Sequence, residues 1–124
     1  MGFNTLASIS AAQAVLAAAM SEDDLLASVI DLAHALGWLC HHTRPAWTAK
    51  GYRTPVQGDN GFVDLVLSSW RRVIFAEVKS EKGKLSEDQE SWLAALGDAA
   101  NEQLGVYVWR PSDWFDGTIE AVLR

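Results

Sequence analysis

No lysine or arginine occurs before Arg44. A secretory signal needs a basic leading segment, so the apolar opening MGFNTLASISAAQAVLAAAM does not read as one. Asn4, Ser8, Ser10 and Gln13 interrupt it too often for a membrane span. The expectation is a helical arm over residues 1–20, packed on the domain or on a second copy. Cysteine is nearly absent too. The single Cys40 excludes an intrachain disulfide and a cysteine-based zinc cluster, and it fits a reducing compartment. No internal repeat and no low-complexity linker divides the chain. At 124 residues it reads as one domain over 21–124 with a real core.

Positive charge is present but gathered. Residues 1–43 hold four acids and no basic residue, and residues 85–124 hold eight acids against two arginines. Between them, residues 44–84 carry eight lysines and arginines against four acids. The net charge of −6 argues against a general DNA coat, yet a local basic stripe can still grip phosphates. The alternative is a solvated basic segment that forms salt bridges to acidic helices.

The stretch SEDDLLASVIDLAHALGW predicts a helix. Ser21 is its N-cap, three acids suit the helix dipole, Leu25, Val29, Leu32 and Leu36 form a stripe, and Gly37 stops it. WLCHHT predicts a short strand. Residues 44–61 show no periodicity and predict a long loop, with Arg44, Lys50 and Arg53 interleaved with Trp47 and Tyr52. That mixture suits phosphate contact and base stacking, and equally a loop pinned by its aromatics. FVDLVLS and RVIFAEVKS predict strands joined at Ser69-Trp70. LSEDQESWLAALGDA predicts a helix capped by Ser86, with Trp92, Leu93 and Leu96 facing inward, and LGVYVW a last strand. The tail after Pro111 starts as a turn of helix and then fits either a strand or a helix. The order is α-β-β-β-α-β after an extra N-terminal helix, a mixed sheet flanked by helices.

Three charges interrupt the two central strands: Asp64, Glu77 and Lys79. Burying a charge is costly unless it is paired or binds a metal. Alternation places Glu77 and Lys79 on one face. A turn at Ser69-Trp70 sets Asp64 opposite Phe75, with Glu77 diagonal to Asp64, roughly 7–8 Å away on that face. Two carboxylates and an ammonium, with the Val78 carbonyl between, suit Mg²⁺ or Mn²⁺ and a phosphate. A structural salt bridge among the three is the other reading.

The segments EDDLLASVIDLAHALGW, HHTR, GFVDLVL, FAEVKSEKGKLSEDQESWLAAL and VYVWRPSDW together resemble the PD-(D/E)XK nuclease core, and more narrowly its VRR-NUC branch and small phage nucleases that resolve Holliday junctions. The resemblance implies a restriction-endonuclease-like α/β fold and Mg²⁺-dependent DNA cleavage. It makes Asp64, Glu77 and Val78 metal ligands, with Glu22 as an added acid and Asp23 and Asp24 as rivals for that place. First-turn acids are also favoured by the helix dipole alone. Lys79 would act on the attacking water. Gln89 matches a site residue of the branch, while Ser86-Glu87-Asp88-Gln89 is also a capping box. Arg44, Lys50, Arg53, Lys82 and Lys84 are the expected phosphate contacts. A branched substrate, a homodimer, and the cytoplasm of a bacterium or phage-infected host are further implications. Val63 departs from the family, which usually has proline there. His41 and His42 point to opposite faces of a strand and cannot share a metal, so each reads more simply as structural. The rival class is a non-catalytic DNA-binding or structural subunit on a nuclease-like fold.

Overall fold

The computed structural model describes residues 9–44, 46–53 and 55–124. The first eight residues of the expected arm lie outside it, as do the side chains of Trp47 and Arg53. The elements run α1 (Ala11–Ala19), α2 (Glu22–Ala35), β1 (Leu39–His42), β2 (Ala46–Thr48), β3 (Gly51–Arg53), β4 (Leu65–Ser69), β5 (Arg72–Val78), α3 (Glu87–Asp98), β6 (Leu104–Trp109), α4 (Pro111–Phe115) and α5 (Thr118–Leu123). The tail is therefore two short helices.

Helix starts follow local chemistry. Ser10 and Ser86 each form a reciprocal capping box, with Gln13 and Gln89, and Ser21 caps the Asp24 amide. Past the end of α2, Gly37 adopts φ +90, a conformation that favours glycine. Helix α1 rests on α4, with Ala17 buried.

The main sheet has the order β1-β4-β5-β6, antiparallel except for the parallel β5–β6 pair. One face carries Leu65, Leu67, Ile74, Ala76 and Val78. These pack with Leu25, Val29 and Ala33 of α2 and Ile119 and Leu123 of α5 into the core. The buried stripe of α2 thus runs at strict i, i+4 spacing to Ala33, and Leu32 and Leu36 lie at its margin. Phe75 and Glu77 are on the opposite face, where Phe75 meets Phe62, which in turn meets Trp92 of α3.

Two expectations are corrected. The β4–β5 turn is Trp70-Arg71, closed by the Ser69–Arg72 pair, and not Ser69-Trp70. Trp70 and Arg71 have φ of 46 and 72, the positive-φ pair that a tight two-residue hairpin turn requires. Neither is glycine or asparagine, so composition does not mark the turn. The segment 44–61 is not a plain loop either, because β2 and β3 pair as an antiparallel hairpin with Trp47 opposite Tyr52. Strands of three residues are too short to show a period.

Candidate active site

The corrected turn moves the whole register. Leu65 pairs with Ala76, so one further step sets Asp64 directly across from Glu77 rather than across from Phe75. The Asp64 amide donates to Glu77 Oε1 at 3.1 Å, and the Val78 amide donates to Asp64 Oδ2 at 2.8 Å. Each carboxylate thus caps the other strand where the ladder ends. Lys79 lies on the Glu77 face, its Nζ 3.9 Å from Glu77 Oε2. Its own amide donates to the Trp109 carbonyl at 3.0 Å, which carries the β5–β6 ladder one residue further.

Glu77 is only 1% exposed, and the Lys79 side chain 12%. Burial pushes the Glu77 carboxyl up to about 8, helped by the hydrogen bond and charge of Asp64 and opposed by Lys79. Two acids facing one lysine leave an excess of negative charge, which a proton relieves when no cation is bound.

A cavity of about 740 Å³ opens beside this pair. It is lined by Glu22 and Asp23 of α2, His42 of β1, Asp64 just before β4 and Val78 of β5, and also by Phe62 and Trp92. Of the three first-turn acids, Glu22 and Asp23 reach it and Asp24 does not. Among the described residues, no three His, Cys, Asp or Glu side chains cluster as ready ligands for one ion. The donor set still fits a hard divalent cation. Asp64 lines the open cavity and buried Glu77 lies directly behind it on its amide, and Mg²⁺ accepts one or two carboxylates and keeps water in its other positions.

The remaining expected residues are spread out. Gln89 is committed to its capping box, where its Oε1 accepts from the Ser86 amide at 2.9 Å, and it does not line the cavity. Arg44 lines a second cavity with Tyr52, which shares Asp23, Leu26 and His42 with the first. Lys50 is exposed at the β2–β3 turn, and Lys82 and Lys84 are exposed beyond β5.

Two further neighbours take places here: His42, of the pair read above as structural, and Arg110, which carried no sequence signal. His42 lines the cavity, and its Nδ1 donates to the Asp64 carbonyl at 2.8 Å. A carbonyl only accepts, so this bond fixes the proton on Nδ1. Arg110 gathers the turn after Lys79. Its Nη1 donates to the carbonyls of Ser80 and Gly83 at 2.7 Å each and of Glu81 at 3.3 Å. Glu81 Oε2 in turn accepts from the Ser112 amide at 2.9 Å, at the start of α4. These long-range contacts span about thirty residues, beyond the reach of any local pattern.

A family model described as the VRR-NUC domain matches residues 9–109. No curated protein and no solved structure matches the chain.

Proposed function

The chain belongs to the VRR-NUC domain family, within the PD-(D/E)XK nuclease-like superfamily, and from that premise we propose that it hydrolyses phosphodiester bonds of DNA with Mg²⁺ or Mn²⁺. The observation that carries this reading is the pairing of Asp64, which lines a cavity, with buried Glu77, and Lys79 on the Glu77 face.

Asp64, Glu77 and the Val78 carbonyl would hold the ion, with Glu22 as an added acid from the cavity wall. When bound, such an ion neutralises charge on a phosphate and acidifies a water. Asp64 is held for this task by the Val78 amide on its carboxylate and by His42 on its carbonyl. Glu77 would serve as a ligand in its deprotonated form, since a metal ligand must be deprotonated. Lys79 orients the attacking water and faces the charge that develops on the phosphate. The capping box engages the Gln89 oxygen, so any part this residue plays runs through its NH₂ group. Arg44, Lys50, Arg53, Lys82 and Lys84 would supply the phosphate contacts. A branched or four-way-junction substrate cut by a homodimer goes with this reading, since two sites related by a two-fold axis suit a nearly symmetric junction.

The test pairs calorimetric titration of Mg²⁺ or Mn²⁺ into the wild type and Asp64→Ala with a cleavage panel of duplex, single-stranded, flap and four-way-junction DNA. Metal binding abolished in the variant, with Mg²⁺-dependent cleavage by the wild type, is the expected result. A chain that binds DNA but takes up no metal and cuts nothing is instead a non-catalytic subunit.

A further inference from the structure

The cavity beside Asp64 has a character that does not suit phosphate. Glu22, Asp23, Asp59 and Asp64 line it, and no lysine or arginine does among the described residues. Away from the metal carboxylates it repels the backbone of a nucleic acid, and it admits only the uncharged part of a nucleotide. The rest of the lining combines apolar and aromatic groups, Leu26, Val56, Phe62 and Trp92, with uncharged polar ones such as Thr43, Gln57 and Asn60. Its volume falls in the range of about 300–1,000 Å³ usual for small-ligand sites.

Phe62 is held at the wall by three devices and is still 45% exposed. Its ring meets Trp92 edge to face at 4.8 Å and Phe75 at 6.1 Å. The Trp92 indole N–H donates to the Asp59 carbonyl at 3.4 Å, which ties the preceding segment to α3. Gly61 has φ +90, and a Cβ there would lie 2.5 Å from the Asp88 carbonyl carbon, so only glycine lets this backbone lie against α3. An exposed aromatic fixed this firmly is a platform. It stands two residues from Asp64, so the two Cα atoms are no more than about 7 Å apart, the scale of one nucleotide step.

We infer that this cavity seats one unstacked nucleobase of the strand being cut, with its face on Phe62. The inference rests on the nuclease reading above and sharpens its substrate class. The enzyme acts on DNA in which the base beside the scissile phosphate has left the stack. Asn60 and Gln57, which also line the cavity, carry the donors and acceptors that a base edge uses.

The experiment is a cycle between Phe62 and the base. Cleavage in Mg²⁺ is measured on substrates carrying an abasic analogue at each of the nucleotides flanking the cut, for the wild type, Phe62→Leu and Phe62→Tyr. Leucine keeps the apolar packing and removes the flat ring, whereas tyrosine keeps the ring. Thermal melts and metal titration confirm that each variant is folded and loads the ion. At one position, the abasic analogue lowers wild-type kcat/KM on the order of tenfold, within the range of base–aromatic stacking. Phe62→Leu shows the same loss on intact DNA and no further loss on the abasic strand, and Phe62→Tyr stays near the wild type. Equal losses in Phe62→Leu on intact and abasic DNA, or no sensitive position at all, overturn the inference while leaving the nuclease reading in place. A wild type that cuts no DNA removes both.

Discussion

Asp64 and Glu77 stand opposite each other across the end of the β4–β5 ladder, and the amide of the first donates to the carboxylate of the second at 3.1 Å. The pair is built into the sheet, so its geometry is as rigid as the strands. Its electrostatics are unbalanced, because the buried Glu77 shares its surroundings with a second acid and one lysine.

That imbalance sets a pH dependence. Glu77 titrates near 8 in the folded chain, against an ordinary value of 4.5. The folded state then holds a proton that the unfolded state loses. Metal-free stability should be full below about 4.5 and fall as pH rises through about 8. Glu77→Gln, neutral at every pH, should flatten this profile and be more stable than the wild type at the alkaline end. Urea unfolding across the pH range checks it, and parallel profiles would contradict the assignment.

Lys79→Ala should lower cleavage by at least about 100-fold, the scale of losing one donor to developing charge. DNA binding at low salt should survive, because several basic residues share it. Single-turnover cleavage beside a binding titration separates the two. Cleavage at the wild-type rate would remove Lys79 from the chemistry.

Activity should require Mg²⁺ or Mn²⁺, vanish in EDTA, and be poorly supported by Ca²⁺. Calcium is larger and accepts irregular coordination, so it binds without aligning water and phosphate. Cleavage that persists in EDTA would end the metal reading.

Arg110→Gln should loosen the Ser80–Gly83 turn and leave carbonyls short of donors, at a cost of about 1–3 kcal/mol in stability. If that turn aims Lys82 and Lys84 at phosphates, the slope of log K against log salt should fall by about 0.9 for each phosphate no longer neutralised. Adding Lys82→Ala and Lys84→Ala should then change little further. Fully additive effects would make the clamp purely structural.

The triple change Arg44→Ala, Lys50→Ala, Arg53→Ala tests the β2–β3 hairpin as a DNA grip. Binding should weaken and the salt slope flatten by about 0.9 per phosphate released. An unchanged slope at wild-type affinity would pass the role to Lys82 and Lys84.

Much of the site was legible because its signals are local. Asp64, Glu77 and Lys79 interrupt apolar strands, and alternation alone puts them on one face. Misplacing the two-residue turn by one position shifts the pairing by two residues. That shift preserves the face, so Asp64 and Glu77 stayed together although the expected diagonal was wrong. Ser21, Ser86 and Gly37 marked helix ends through their own backbone chemistry. What the sequence determined by itself was therefore the composition of each face and the caps of each helix, properties carried within a few residues. Tertiary structure decided the rest. It selected the positive-φ turn at Trp70-Arg71, folded the β2–β3 hairpin, brought His42 to the Asp64 carbonyl, and closed Arg110 over the turn after Lys79. Each of these depends on groups brought together only when distant parts of the chain pack, and no local pattern encodes that proximity.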